Sequence, residues 1–379
     1  MGYKAVLWGL TGLGVIGALA WRKLKPTPPE IGFTLSDDEM AAARALMADS
    51  PVIDAHAHPG RTFVRGARNL SGKLRLFALR GPSEGKAVAD MAAGGVAAAV
   101  FNGVADFQIL ALGATGLAAG RAFDTGEAWA SYQTQIANLR ALSDRGLVTT
   151  CLSADDILAA HKAGTPGAVL AMEGADFLEN DAARLEQVFS DGVRMLTLVH
   201  YADNTSGHIM TGAQDDKGLT AFGRDVVAAA DSLGLMLDAS HASEATAFDM
   251  LKTARQPVVL THTHVNDPAT ITHPRFVSRD LAQAIAESGG YVGAWPAGIG
   301  MTTLSEFVDR IEWLIDAMGE DHVALGSDMD ANYKPVLETY RKMPLVIGAL
   351  LQRGHSPEMV KKLAGENVLR VWRKTAAQA

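Results

Sequence analysis

The chain has 379 residues, a formal net charge of -8 and 48% hydrophobic residues, which fits two average domains or one large α/β barrel with additions. The acidic balance argues against nucleic acid as a main partner, because phosphate binding requires a basic face. Cys151 is the only cysteine, so an internal disulfide and a cysteine-based structural zinc site are both excluded.

The N-terminal residues form a segment distinct from the rest of the chain. An uncharged, largely apolar run covers residues 5–21, and a basic cluster and a proline-rich stretch follow it up to Glu30. We expect residues 1–30 to be an uncleaved membrane-anchor helix with a stiff linker, and residues 31–379 to be one further domain.

Two other cues in this segment conflict. Ala18-Leu19-Ala20 fits a signal-peptide cleavage site, which leaves cleavage open as an alternative. The basic cluster Arg22, Lys23 and Lys25 would hold the following domain in the cytoplasm by the positive-inside rule. Of the two sides, we favour a periplasmic or extracytoplasmic position for that domain.

The stretch 51–60, Pro-Val-Ile-Asp-Ala-His-Ala-His-Pro-Gly, carries His56 and His58 at the end of an apolar run. Residues i and i+2 of a β-strand point to the same side, so both imidazoles can face one point beyond the strand end. Converging neutral imidazoles suit a borderline divalent metal such as zinc. Two surface histidines at the start of a loop are the alternative for an isolated pair.

Eight apolar runs of this kind occur along the chain, at residues 51–60, 94–103, 167–174, 192–200, 234–241, 256–262, 290–296 and 322–328. Helical patterns occur between them and before the first, for instance at 35–48, 155–163, 219–232, 242–255, 278–288 and 305–318. Residues 61–86 are interpreted as a long loop over the site, with partial helix as an alternative. Residues 105–145 are interpreted as an insert with several glycines, followed by a long helix. This order predicts an α/β fold, a (β/α)₈ TIM-type barrel.

Six of the eight runs end in a histidine or a carboxylate, where this fold carries its active-site groups. Five of these groups are candidate metal ligands: His56, His58, Glu173, His241 and His262. They exceed the needs of one tetrahedral zinc and suit two metals that share a carboxylate bridge, for which Glu173 is the natural residue. Asp328 is then the candidate proton carrier, with a role as a further metal ligand as the alternative.

An ordered set of motifs resembles the membrane (renal) dipeptidase family of the amidohydrolase superfamily. The set is Asp54-x-His56, Glu173-Gly174, Gly192-Val-Arg-x-Leu-Thr-Leu-x-His200, Asp238-x-Ser-His241, Thr261-His262, His273-Pro-Arg275 and Gly326-Ser-Asp328-x-Asp330, and the closing stretch Asn367–Trp372 also fits. Each motif alone is weak, but the ordered set, which runs from about Pro51 to Trp372, is specific.

The resemblance implies a barrel at residues 31–379 that holds two zinc ions bridged by Glu173. It implies hydrolysis of dipeptides, including some with a D-residue at the C-terminal position, by a metal-bridging hydroxide. His200 matches a histidine that contacts the substrate or transition-state oxygen, and Arg275 matches the arginine that binds the substrate's C-terminal carboxylate. A homodimer is the family's usual assembly.

Two departures from the family pattern affect the expected substrate. The family usually has His-x-Asp on the first strand, where this chain has His58, so the site has one negative charge fewer. His264 stands where the family usually has a small polar residue, and we expect it to lie behind the ligands or in a loop.

Two other functions stay open on the sequence. One is a metal-dependent amidohydrolase acting on an N-acyl amino acid, a cyclic amide or a lactone, for which His-x-His is the commoner strand pattern. Many of those relatives bridge their metals with a modified lysine, whereas Glu173 favours the dipeptidase branch. The other is an inactive, membrane-tethered binding protein, which would have no need for the complete ligand set together with Asp328.

Overall fold

A computed structural model describes residues 28–114, 116–212 and 217–377, in which eight parallel strands form a closed barrel. In chain order the barrel strands are β1 Val52–Ala57, β2 Val96–Val104, β3 Gly167–Glu173, β4 Val193–Thr197, β5 Met236–Asp238, β6 Val258–Thr263, β7 Val292–Ala294 and β8 Val323–Leu325. Each strand pairs with the next, and β8 closes the ring on β1 with Asp54 opposite Leu325. The predicted (β/α)₈ barrel is confirmed, with each strand inside its predicted run or within one residue of it.

Helices surround the barrel: α1 Asp37–Asp49, α2 Gly72–Ala78, α3 Glu84–Gly94, α4 Glu127–Asp144, α5 Ala154–Ala163, α6 Arg184–Ser190, α7 Ala221–Leu233, α8 Glu244–Thr253, α9 Arg279–Glu287, α10 Leu304–Met318, α11 Met343–Gln352, α12 Pro357–Lys361 and α13 Asn367–Ala376. Seven of them (α1, α5, α7, α8, α9, α10 and α12) begin after a Ser or Thr whose hydroxyl accepts a backbone N–H of the first turn. At α1, for example, Ser36 accepts the Glu39 backbone N–H while the Glu39 carboxylate accepts the Ser36 N–H.

Strand β3 shows how the sequence places a polar group at the mouth of the barrel. Ala168, Leu170 and Met172 belong to the cluster that packs strands against helices, whereas Val169 and Ala171 belong to a second cluster inside the barrel. Side chains alternate along a strand, so Glu173 follows on the interior side, at the C-terminal end. The apolar layer beneath it is continuous with buried residues from the other strands.

The segments after β1 and β2 form a cap over one side of the mouth, which we call the mouth cap: residues 59–81 and the hairpin Leu110–Gly113/Gly116–Ala119. They share an apolar cluster that includes Phe63, Leu74 and Leu110. The predicted loop at 61–86 is therefore partly helical, containing α2 and the start of α3. The hairpin was not predicted, because its Gly/Ala/Leu sequence has neither strand alternation nor a β-branched run.

The predicted membrane anchor falls in residues 1–27, outside the described residues, so it stays a prediction. Within the described ranges, every helix lacks the length or the apolar character that a bilayer span requires.

Gly293 in β7 offers a test of how closely the strands pack beside the site. A Cβ atom at this position would lie 1.8 Å from the carbonyl oxygen of Thr261, which precedes the predicted ligand His262. Gly293→Ala is expected to lower the free energy of unfolding by about 3 kcal/mol, because the backbone must shift to accept the methyl group. Urea denaturation followed by tryptophan fluorescence measures the change.

Gly85→Ala is the matched control, since nothing lies within 4 Å of a Cβ atom at that helical position. It should leave the stability unchanged or raise it by less than about 1 kcal/mol. Equal stability of the Gly293→Ala variant and the wild-type chain would contradict the close strand contact.

Candidate metal centre and active site

The end of β1 brings His56 and His58 to the mouth of the barrel. Their Nε2 atoms lie 3.3 Å apart, close to the separation of two nitrogen ligands on one tetrahedral zinc. Each ring is held through its other nitrogen: His56 Nδ1 is 2.9 Å from Thr261 Oγ1, and His58 Nδ1 is 3.1 Å from the Asn102 carbonyl oxygen. A carbonyl only accepts, so His58 carries its proton on Nδ1 when neutral and presents a free Nε2 lone pair.

Glu173 lies at the centre of the site, with its two carboxylate oxygens facing different imidazoles. Oε1 is 3.4 Å, 3.0 Å and 3.7 Å from Nε2 of His56, His241 and His262, and Oε2 is 3.4 Å and 3.3 Å from Nε2 of His58 and His200. Burial alone would raise the pKa of this carboxyl. The neighbouring histidines, led by His200 and His56, outweigh burial and hold that pKa well below its usual value.

His241 and His262 form a second pair of imidazoles, with Nε2 atoms 3.1 Å apart. Burial lowers the pKa of both rings well below the usual value, and the charge of Arg275 lowers that of His241 further. Both rings are therefore neutral, which is the protonation state that binds metals. His241 has a left-handed backbone conformation with φ of 66°, which turns its side chain toward the site.

Arg275 lies inside the site, in contact with the second histidine pair. Its Nη2 atom is 3.1 Å from Nε2 of both His241 and His262, and its Cζ atom lies 5.1 Å from the centre of the Trp295 ring. The residue is 5% exposed, which excludes a surface role. A planar fork of donors is therefore directed at the region where the ligand atoms converge.

Asp328 follows β8 and faces the first histidine pair. Its Oδ1 atom is 3.4 Å from His58 Nε2, while Oδ2 accepts a hydrogen bond of 3.3 Å from the indole N–H of Trp295. Burial raises the pKa of the carboxyl despite the opposing effect of His58 and His56. With φ of 51° it is another site residue in the left-handed region.

His200 is held by Asp106, a residue that sequence reasoning missed. His200 Nδ1 lies 2.8 Å from Asp106 Oδ1, and the Asp106 side chain is fully buried. Burial opposes a charge on the imidazole, but Asp106 and Glu173 outweigh it and raise the pKa of His200 to about 9. Asp106 follows the end of β2 by two residues, so the rule that selected the other strand ends would also have found it.

Asp238 and Thr261 set the orientation of two ligand rings. The Asp238 carboxylate accepts hydrogen bonds of 2.7 Å from the hydroxyls of Thr197 and Thr261. The Thr261 hydroxyl proton is donated to Asp238, so Thr261 Oγ1 can accept hydrogen bonds from neighbouring ring nitrogens. These are Nδ1 of His56 at 2.9 Å and Nδ1 of His262 at 3.1 Å. Such outer contacts fix the tautomer and direction of metal-binding histidines.

The histidines without a predicted ligand or substrate role lie outside the cluster of ligand atoms. His264 is buried, and its Nε2 atom donates to the Trp295 carbonyl oxygen at 2.6 Å, so it lies behind the pocket wall. Four others contact a carbonyl oxygen or a carboxylate elsewhere: His161 at Ala48, His208 at Asp203, His322 at Gly290 and His355 at Glu312. His273 Nδ1 accepts the backbone N–H of Arg275 at 3.1 Å.

The donor set fits zinc. Ligand atoms of His56, Glu173 and His262 lie within 4.8 Å of one another, as do those of His56, His58 and Asp328 and those of Glu173, His200 and His241. Buried neutral imidazoles around one ionised carboxylate are the ligands that zinc prefers. All eight residues predicted from the sequence are thus brought together at one end of the barrel.

Solved structures with the same architecture include a metallo peptidase and a probable dipeptidase. A metallo peptidase from Rhodobacter sphaeroides, liganded with a phosphinate mimic of the dipeptide L-Ala-D-Ala, has a TM-score of 0.72 at 24% identity, covering 86% of this chain and 99% of that one. The probable dipeptidase PvdM from Pseudomonas aeruginosa has a TM-score of 0.73 at 18% identity, covering 91% of this chain and 100% of that one. At these identities the likeness concerns the fold.

Curated relatives are similar over part of the chain. An uncharacterized dipeptidase of Schizosaccharomyces pombe is 34% identical over 237 residues, which is 59% of this chain and 56% of that protein. Dipeptidase tcpJ of Claviceps purpurea is 32% identical over 230 residues, which is 58% of this chain and 54% of that protein. The chain thus spans about half the length of these relatives. Residues 40–379 match the family model of the membrane dipeptidases, Peptidase family M19, and the chain belongs to that family.

Proposed function

We propose that this chain is a binuclear zinc dipeptidase that hydrolyses the peptide bond of dipeptides, including dipeptides with a D-residue at the C-terminal position. The observation that carries the proposal is the position of Glu173, whose two oxygens face different imidazoles at 3.0–3.7 Å. A buried carboxylate between two histidine pairs has the geometry of a bridge between two ions.

In this proposal His56 and His58 would hold one zinc ion, His241 and His262 would hold the other, and Glu173 would be a ligand of both. When bound, the two ions polarise the scissile carbonyl and acidify the attacking water. Asp328 accepts the proton that the water loses as its oxygen bonds to the carbonyl carbon. The same carboxyl then delivers this proton to the amine nitrogen as the C–N bond breaks.

His200 and Arg275 bind the substrate in this proposal. Asp106 holds His200 through Nδ1 and directs Nε2 at the centre of the site, so its Nε2–H can donate to the developing oxyanion. Arg275 presents two guanidinium N–H groups in a plane, which suits the two oxygens of a C-terminal carboxylate. The fungal relatives named as dipeptidases, and the bacterial relative that binds a mimic of L-Ala-D-Ala, support this substrate class.

His58 changes the charge of the site relative to the family's usual aspartate. Asp328 lies 3.4 Å from His58 Nε2, the same distance as Glu173, and is the second carboxylate beside this ring. Asp328 therefore has two open roles, proton carrier or additional ligand, and the zinc content of a variant distinguishes them.

We further propose that residues 1–30 form a membrane anchor and linker, and that residues 31–379 are the hydrolase domain. The apolar run at 5–21 and the prolines before Glu30 support this division. A periplasmic or extracytoplasmic domain and a homodimer remain predictions of the sequence analysis.

The zinc-loaded full chain is expected to hydrolyse L-Ala-L-Ala and L-Ala-D-Ala faster than an N-acetyl amino acid or a cyclic imide. A cyclic imide offers Arg275 no free carboxylate, and an N-acetyl amino acid lacks the substrate's N-terminal residue. Product amino acids measured by chromatography give the four rates. Turnover of the acetylated or cyclic substrates alone would reassign the chain to the wider amidohydrolases.

Asp328→Asn should lower kcat about 10³-fold, because the amide cannot accept and return the proton. Steady-state kinetics and zinc content by plasma mass spectrometry are measured on the same preparation. Unchanged zinc content with lost turnover indicates a proton carrier, whereas loss of zinc indicates a ligand. Undiminished kcat would contradict both roles.

Asp106→Asn should lower kcat/KM about 10-fold to 100-fold at unchanged zinc content, because His200 loses the charge that fixes its tautomer. Asp203→Asn is the control, since it makes the same change beside His208, 3.2 Å away and outside the cluster. Equal effects of the two variants would contradict a positioning role of Asp106.

A further inference from the structure

The mouth cap contains the most basic stretch of the chain. Residues 59–83 carry six arginines and lysines and no aspartate or glutamate, in a chain whose net charge is -8. Two of the six have local partners: Arg65 pairs with Glu84 at 2.7 Å, and Arg61 donates to the Gly81 carbonyl oxygen at 2.6 Å. This charge therefore concentrates on a surface of an otherwise acidic protein.

The remaining four basic residues, Arg68, Lys73, Arg75 and Arg80, are exposed and make no ion pair with any residue that the structure describes. They surround α2, which buries Leu74 and packs Phe77 against the cluster beneath it. The outward side of this turn carries Leu76 and Leu79, which are 67% and 76% exposed. Two large, exposed apolar side chains are thus close in sequence to four exposed basic residues without ion pairs.

The neighbouring hairpin extends this surface without adding charge. Its strands, residues 110–113 and 116–119, contain no ionisable side chain, and Leu112 is 44% exposed. The Ser71 hydroxyl before α2 donates to the Leu110 carbonyl oxygen at 3.1 Å, which joins the two parts. Both follow strand ends on the side of the barrel that carries the ligands, so this surface lies beside the entrance to the site.

We propose that this surface of the mouth cap docks on an anionic lipid bilayer. The four free cations contact lipid headgroups, and Leu76, Leu79 and Leu112 enter the boundary between headgroups and acyl chains. Exposed leucines flanked by lysine and arginine are the pattern of interfacial segments that lie on a membrane. Docking in this way holds the entrance of the barrel at the membrane surface.

A second copy of the chain is a poorer partner for this surface. A two-fold dimer places the same patch on both sides of the interface, so the free cations of each copy would face those of the other. Like charges brought together in an interface oppose association, whereas an anionic bilayer compensates them. The inference does not depend on the proposed function, because none of the candidate ligands lies in the patch.

The test uses the full chain with an environment-sensitive fluorophore on Leu79→Cys. Cys151 is fully buried, so the new thiol is the accessible site for labelling. The control places the label on Leu152→Cys, which is 45% exposed and lies beside Gly192, before β4, at the opposite end of the barrel. Vesicles of phosphatidylcholine alone are compared with vesicles that also contain phosphatidylserine.

We expect the emission at position 79 to rise several-fold and shift to the blue on the phosphatidylserine vesicles, while the label at 152 does not respond. About 0.5 M NaCl should reverse the change, because the Debye length falls below about 5 Å. Replacing Arg68, Lys73, Arg75 and Arg80 by Gln should abolish the emission change at position 79, which reports docking of the mouth cap whether or not residues 1–30 insert. Circular dichroism of that variant should match the wild-type chain, since the four side chains are exposed.

Three results would overturn the inference. The first is no response of the label at position 79 to phosphatidylserine. The second is an equal response to phosphatidylcholine alone, which would remove the role of charge. A response without vesicles that grows with protein concentration would assign the surface to a second copy. Each of these outcomes leaves the dipeptide hydrolysis experiment unaffected.

Discussion

A single ionised carboxylate, Glu173, buried among imidazoles, is the constraint on which the rest of this structure depends. Removing a charge from water is costly unless partners compensate it, and here the compensation comes from the ends of several strands at once. Oε1 and Oε2 face histidines from β1, β6 and the segments after β4 and β5. The histidines meet Glu173 only when the barrel is closed. Closure of the barrel is therefore required both for the fold and for the assembly of the site.

Two further buried carboxylates tie neighbouring strands together beneath the ligands. Asp54 of β1 accepts the backbone N–H and hydroxyl of Ser327, after β8, and the hydroxyl of Tyr340 at 2.7 Å, which connects the first strand to the last. Asp238 of β5 accepts from Thr197 of β4 and Thr261 of β6. Both lie within three residues of a predicted ligand, so the hydrogen bonds that join the strands also orient the imidazoles.

The sequence predicted the strands, and the structure brings the candidate ligands together, because the positions of both follow simple rules. In an apolar run that ends in His, Glu or Asp, the strand pattern and the candidate ligand are both visible within the run itself. Glu173 and His262 were therefore identified without any contact information. Other features are set by tertiary contacts: the role of Asp106 follows from its hydrogen bond to His200, and the direction of His264 depends on the Trp295 carbonyl. Helix α11 was missed because it is apolar on nearly all sides and shows no amphipathic period.

The most direct test of the central claim is a crystal structure of the zinc-loaded chain with anomalous data collected at the zinc edge. The account predicts two peaks, one on either side of the Glu173 carboxylate, each about 2.0–2.3 Å from the nearest imidazole nitrogens and carboxylate oxygen. Arg275 would then face the substrate region and no longer contact Nε2 of His241 and His262. A single peak, or the Arg275 guanidinium still seated between those two nitrogens, would contradict the binuclear centre.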